Sequence, residues 1–304
     1  MENDLEKKLI IICGPTAVGK TKIAIELANH LKAEIVSADS RQIYREMSIG
    51  TAVPSPDELL SAKHHFIHTH TIHKYYSSGK YELEALDLIE NTLFKKYEIV
   101  IVVGGSGLYI DALVKGIEQL PSADIELRNE LTQTYEKQGI EVLRMMLKKL
   151  DPVYHAKVDL QNHQRILKAL EVCLCTGKPY SSMISGKNKQ RNFKIIPIGI
   201  NIDREELHAR INKRVDEMMA LGLLDEVNML FEFKGLTALK TVGYQELFEY
   251  FDGKHSLDTA IELIKRNTRR YARRQISWFN RTQNLPWFSN STIDPIIKYI
   301  DSPI

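Results

Sequence analysis

Gly14-Pro15-Thr16-Ala17-Val18-Gly19-Lys20-Thr21 satisfies the pattern Gly-x-x-x-x-Gly-Lys-[Ser/Thr] at every position. The apolar, β-branched run Leu9-Ile10-Ile11-Ile12-Cys13 precedes it, and the amphipathic stretch Lys22–Ala28 follows. Strand, glycine-rich turn and helix is the context in which this pattern cradles phosphate. The glycines let backbone N–H groups crowd around phosphate oxygens, and the helix N-terminus adds partial positive charge. Gly14 to Thr21 are therefore the expected diphosphate- or nucleotide-binding residues. Lys20 can reach the terminal phosphates, and the Thr21 hydroxyl is the expected Mg²⁺ ligand.

Outward from the loop, the first hundred residues alternate strand and helix. A second strand spans 33–39, a helix 81–95, and a third strand, Ile99-Val100-Ile101-Val102-Val103, runs into Gly104-Gly105. Near-continuous apolar strands separated by helices predict a parallel sheet covered on both faces. Such sheets bind ligands beyond the carboxyl ends of their strands, where Gly14, Asp39 and Gly104 all fall. At Leu120-Pro121-Ser122 the periodicity becomes helical, with segments 125–138, 140–150 and 164–176, the last stopping at Gly177. Residues 194–200 read as a return to the sheet, and the chain is helical again from 203 to about 280. The expectation is an α/β fold: a P-loop NTPase-like core of parallel sheet flanked by helices, residues 1–120 and 194–304. An all-helical insertion occupies 121–193.

Composition fits this picture. A chain of 304 residues, 43% hydrophobic and 26% charged, is long enough to bury a substantial core. No apolar run approaches the roughly 20 residues that span a bilayer, and the charged start Met1–Lys8 lacks a signal-peptide core. The expectation is a cytoplasmic monomer with no membrane partner. Three cysteines without Cys-x-x-Cys spacing give no sign of a metal or redox site. Residues 121–195 carry 13 Lys and Arg against 8 Asp and Glu, a net of +5 in a chain whose total is +2. Charge segregated this way points to a polyanionic partner.

A phosphate loop alone does not choose a reaction. P-loop hydrolases usually end an apolar strand in an Asp that helps hold Mg²⁺, but here strand 99–103 ends in Gly104-Gly105-Ser106-Gly107. Small residues in that place suggest something bulky passing close to the backbone. The strand-end carboxylate near the loop is Asp39, suited to accept a proton or to hold metal through water, or else to serve as a helix cap. Arg266, Arg269, Arg270, Arg273 and Arg274 recur at helical spacing and place five guanidinium groups on one face. Such a face suits phosphate contact. Arg214 is a further candidate to reach the loop. His64, His65, His68, His70 and His73 crowd one segment without the spacing of a zinc site, and read as a polar loop.

These motifs together resemble the tRNA dimethylallyltransferases over roughly residues 8–288. The P-loop matches that family's Gly-Pro-Thr-Ala-x-Gly-Lys-[Ser/Thr], and Asp39-Ser40-Arg41-Gln42-Ile43-Tyr44 its Asp-Ser-x-Gln-x-Tyr. Ile49–Ala52, Gly104–Tyr109, Asn162–Arg165 with Ala169–Glu171, Val242–Tyr244 and Thr268–Phe279 recur in the same order. The resemblance implies transfer of a dimethylallyl group from dimethylallyl diphosphate to N6 of the adenosine at position 37, beside the anticodon. It implies that Asp39 accepts the proton, and that Lys20, Thr21 with Mg²⁺, and Arg214 stabilise the departing diphosphate. Asp39, Ser40, Arg41, Gln42, Ser106, Arg128, Gln164, Arg165, Ile166, Leu167, Lys168, Lys240, Thr241, Val242, Gly243, Tyr244 and Gln245 match positions used around the flipped base and anticodon stem-loop. Arg269 and Arg273 join them as phosphate contacts. Two alternatives share the loop: an adenylate isopentenyltransferase acting on free AMP, ADP or ATP, and a P-loop small-molecule kinase.

Overall fold

The computed structural model describes residues 7–302 apart from 119, 121–123, 185–187 and 283. The chain divides into two compact units, one formed by residues up to 114 with those from 190 onward, the other by 115–189. In the first unit β1 (Lys8–Cys13) leads through the glycine loop into α1 (Lys20–Leu31). Then come β2 (Ile35–Ser37), α2 (Pro56–Ser61), β3 (His64–His65), α3 (Ser78–Leu88), β4 (Ile99–Gly104) and α4 (Gly107–Lys115). The expected helix at 81–95 is α3 with a π-helical turn, Ile89–Leu93, at its end.

The second unit holds α5 (Ile125–Gln138), α6 (Ile140–Leu150), α7 (Pro152–His155) and α8 (His163–Thr176). The first unit resumes with β5 (Lys194–Ile200), α9 (Arg204–Ala220), α10 (Leu223–Met229), α11 (Tyr244–Phe251), α12 (Leu257–Phe279), β6 (Trp287–Phe288) and α13 (Asp294–Asp301). Among the described residues no helix is long and apolar enough to cross a membrane.

The six strands form one parallel sheet in the order β3-β2-β4-β1-β5-β6. Two edge strands escape sequence reading. His64–His65 lies within the histidine-rich segment, and Trp287–Phe288 follows the last expected helix; at two residues each they are too short for a periodicity. The interior strands show why both faces are covered. Leu9, Ile11, Val100 and Val102 point into one apolar cluster with Tyr81, Tyr109 and Leu113. Ile10, Ile12, Ile101, Val103, Ile196 and Ile198 point into the other, beneath Ile23 and Leu27 of α1 and Ile211 of α9. Alternation across the pleat thus buries every residue of β1 from Leu9 to Cys13.

The 115–189 unit has its own core, built by Leu131 of α5, Leu143 and Leu147 of α6, and Ile166, Leu167 and Leu170 of α8. Asp151 is fully buried there and satisfied: it accepts the Ser181 N–H at 2.6 Å, the Ser181 hydroxyl at 2.8 Å and the Tyr154 N–H at 2.9 Å. α8 ends at Gly177 in the left-handed conformation, where the sequence places its stop.

Candidate active site

The glycine loop joins the carboxyl end of β1 to α1. Gly14 (φ 151°) presses on β5: a Cβ there would lie 2.3 Å from the Ile200 carbonyl oxygen. Gly19 caps α1 in the left-handed conformation (φ 97°), and Ala17 holds φ 64°, a region that side chains rarely occupy. The surroundings fix this turn. The Val18 side chain is buried against the sheet, and its carbonyl accepts from Asn290 Nδ2 at 2.8 Å. Thr16 donates its N–H to Gln275 Oε1 at 2.8 Å and accepts from Arg214 Nη1 at 3.3 Å through its hydroxyl. Lys20 Nζ donates to the Pro15 carbonyl at 2.7 Å.

Burial, reinforced by the Arg214 charge, brings Lys20 down to about 8, with Asp39 opposing the shift. Burial likewise lowers Arg214. Lys20 and Arg214 line one cavity with the carboxylates of Asp39 and Glu58, and burial holds both cations below their ordinary values, which a bound anion would relieve.

Asp39 follows β2. Its Oδ1 accepts the N–H groups of Arg41 (2.8 Å) and Gln42 (3.3 Å), which shapes the turn rather than capping a helix. Oδ2 makes no hydrogen bond among the described residues. Two cavities meet here. One is lined by the glycine loop, Lys20, Thr21 and the Gly104–Gly105 turn. The other is lined by Ser40, Arg41, Lys240, Thr241, Val242, Gly243, Gln245 and Arg274. Thr16, Asp39, Thr51, Ala52, Arg214 and Tyr271 line both. Burial and the nearby Asp39 push the Tyr271 phenol up to about 12. Ser106 accepts the Ser40 N–H at 2.9 Å and so braces the Asp39 turn.

Several expected contact residues also carry structural roles. Tyr244 is fully buried; its ring packs on Gly50 and its hydroxyl donates to Glu226 at 2.6 Å. Glu226 also accepts the N–H groups of Ser48, Ile49 and Gly50, so the segment lining both cavities is held from beneath. Gln42 spends its amide on that segment, donating to the carbonyls of Thr51 (3.2 Å) and Ala52 (2.9 Å). Ile166 and Leu167 are core residues of the helical unit, so their side chains are withdrawn from any partner. In that unit Arg128 and Lys168 both pair with the buried Glu171, at 3.0 and 3.3 Å, while Gln164 and Arg165 are exposed.

The glycines after β4 have bulky neighbours close to the backbone, as expected, and those neighbours are protein. A Cβ on Gly104 would lie 2.2 Å from the Ala38 carbonyl oxygen, on Gly105 2.2 Å from Gln275 Nε2, and on Gly107 2.4 Å from the Trp278 ring. The protein itself passes close to that backbone. The arginine face also divides. Arg269 donates to Asn212 of α9 at 2.6 Å, Arg274 lines the second cavity, and Arg266, Arg270 and Arg273 are exposed.

Three of the five histidines in this segment pair, His65 with Glu34 at 2.6 Å, His70 with Glu84 at 3.3 Å and His68 with Ser48 at 3.3 Å, while the buried Nε2 of His64 has no hydrogen-bond partner among the described residues. Among the described residues no group of three His, Cys, Asp or Glu could hold a metal ion. Gln275, Tyr271 and Glu226 were not singled out by the sequence. The first two sit in the quoted stretch 268–279, but nothing local marks Glu226.

The IPP transferase family matches residues 42–282. The tRNA dimethylallyltransferase of Flavobacterium johnsoniae is 53% identical over 301 residues, 97% of each chain. Among solved structures, the full-length tRNA isopentenylpyrophosphate transferase of Bacillus halodurans has a TM-score of 0.69 and 35% identity, covering 97% of this chain and 94% of its own. A eukaryotic dimethylallyltransferase captured acting on tRNA has a TM-score of 0.78 and 26% identity, over 93% of this chain and 74% of its own. Matched along nearly its whole length, with the phosphate loop and Asp39 at the carboxyl edge of the sheet, the chain belongs to the IPP transferase family.

Proposed function

We infer that this chain transfers a dimethylallyl group from dimethylallyl diphosphate to N6 of the adenosine at position 37 in tRNAs reading codons that begin with U. The observation that carries the reading is Asp39, in the wall shared by the phosphate-loop cavity and its neighbour. A carboxylate between a donor site and an acceptor site is placed to take a proton as the two react. The N6 lone pair forms the new bond to the allylic carbon, and the carbon–oxygen bond to diphosphate breaks. The bond electrons leave on the diphosphate oxygen, and the N6 proton passes to Asp39 Oδ2.

The loop N–H groups, Lys20 and Arg214 stabilise the charge that develops on the leaving group. The Thr21 hydroxyl, which makes no hydrogen bond among the described residues, fits Mg²⁺, a cation commonly held by few protein ligands and by substrate phosphates. Bound there, Mg²⁺ would supply further neutralisation of the diphosphate.

The acceptor base must leave its stack, at a cost of a few kcal/mol that contacts to the RNA offset. We assign those contacts to Gln164, Arg165 and Lys168 on the helical unit, and to Ser40, Arg41, Lys240, Thr241 and Gln245 at the second cavity. The helical unit with its basic charge favours tRNA over a free nucleotide as acceptor. The test is incubation with Mg²⁺, dimethylallyl diphosphate and either unmodified tRNA or AMP, ADP and ATP, followed by digestion and mass spectrometry. N6-dimethylallyl-adenosine from tRNA alone is the expected outcome. Product on free nucleotide would move the chain to the adenylate enzymes, and ATP turnover without product would make it a kinase.

A further inference from the structure

Gln275 lies on α12 with its side chain almost wholly buried. Its Oε1 accepts the N–H of Thr16, and its Nε2 donates to the carbonyl of Gly105, each at 2.8 Å. Both partners are backbone groups with a single role, so the amide can sit only one way round. One side chain thereby ties the phosphate loop to the turn after β4 and to the helix whose Tyr271 and Arg274 line the second cavity. Gly105 belongs to the same device, since a Cβ there would lie 2.2 Å from Gln275 Nε2. The loop needs such a restraint. Ala17 at φ 64° occupies a region that persists only where the surroundings over-determine it. The residue anchored by Gln275 is also the one whose hydroxyl accepts from Arg214.

We propose that Gln275 is a positioning residue of the transfer reaction: it holds the phosphate loop, through Thr16, in the shape that receives the donor diphosphate. This rests on reading the loop as the diphosphate site. An amide is required because the position needs one donor and one acceptor in a buried place. Methionine matches the length and supplies neither. Glutamate supplies the donor only when protonated, and otherwise sets a charge against the Gly105 carbonyl.

The experiment uses the full chain with Gln275→Met, Gln275→Glu, Gly105→Ala and the Gln275→Met/Gly105→Ala pair. Affinity for inorganic diphosphate with Mg²⁺ is read by calorimetry, affinity for tRNA by filter binding, and folding by thermal melting. Gln275→Met is expected to weaken diphosphate about 10-fold or more while tRNA affinity stays within about twofold. Gly105→Ala should reproduce that loss, and the double variant should add little to it, because both break the same link. Relative to the unsubstituted chain, Gln275→Glu should regain diphosphate affinity as pH falls from about 7.5 to about 5.5, because burial raises its carboxyl well above the ordinary glutamate value.

Unchanged diphosphate affinity in Gln275→Met and Gly105→Ala would overturn the proposal. So would parallel loss of diphosphate, tRNA affinity and melting temperature, with no recovery of Gln275→Glu on acidification, which would make the residue merely structural. Failure of the unsubstituted chain to bind diphosphate would instead refute the reading of the loop.

Discussion

Two glycine-rich turns lie side by side at the carboxyl edge of the sheet, after the paired strands β1 and β4, and each opens a helix. In sequence they look alike. In the structure, a Cβ on Gly19 would meet side chains alone, Asn290 from 3.2 Å and Arg210 Nη1 at 3.8 Å, and its turn borders a cavity with Lys20 and Thr21. The Gly104–Gly107 turn is occupied by Ala38, Gln275 and Trp278. Gly14 of the first turn packs on β5 as closely as the second turn packs on its neighbours, but Gly19 leaves open the face beside Lys20 and Thr21. The distinction follows from what lies opposite: a cavity beside Gly19, but the Trp278 ring of α12 against Gly107. The packed turn braces the open one, since Gln275 reaches across from Gly105 to Thr16.

The largest effect that separates the turns is expected from Lys20→Ala. Removing a cation from the leaving-group site should lower kcat/KM for dimethylallyl diphosphate by about 10²–10³ with little change in melting temperature. Loss of stability in its place would mean that the open turn is structural like its neighbour. The counterpart is Gly107→Ala, which forces the Trp278 ring away and strains its 2.9 Å bond to Asp111. It should cost about 1–3 kcal/mol in chemical unfolding, with diphosphate affinity preserved.

Titration sharpens the contrast. The Lys20 ammonium is lowered from 10.5 to about 8, so between those values the unfolded chain holds a proton that the folded chain has released. This group's contribution to stability therefore rises with pH across that window and is lost below about 8. A bound diphosphate draws the proton back. Calorimetry in buffers of different ionisation enthalpy should show uptake of up to one proton on binding dimethylallyl diphosphate at about pH 9, and none from this group at about pH 6.5.

The smallest effect concerns α12. Arg273→Gln should reduce the salt slope of tRNA binding by about 1, whereas Arg269→Gln, whose guanidinium is engaged by Asn212, should leave it unchanged. Equal slopes in both variants would return the two arginines to a single face.

The sequence carried the phosphate loop, its flanking elements, Asp39 and the parallel sheet, because each rests on a local pattern: fixed glycine spacing, β-branched runs, helical period. What it withheld depends on distant partners. Buried Tyr244 and half-buried Gln42 resemble contact residues in sequence, and only the meeting of Ser48–Ala52 with Glu226 shows them bracing a wall. Gln275 is one polar residue in an arginine-rich helix until Thr16, 259 positions away, comes within 2.8 Å. Ile166 and Leu167 lie in a motif that also carries exposed Gln164 and Arg165, and burial alone tells the two pairs apart. The edge strands β3 and β6 owe their pairing to the sheet they extend rather than to a period of their own.

Asp39, between the two cavities, is the residue proposed to take the proton from the attacking N6. Its most direct test compares Asp39→Ala with the unsubstituted chain for single-turnover prenyl transfer and for tRNA affinity in parallel. With the proton acceptor removed, turnover is expected to fall by about 10² or more while tRNA binding stays within a few-fold. Turnover that falls only in proportion to lost tRNA binding would contradict that role and leave Asp39 as a shaper of its own turn.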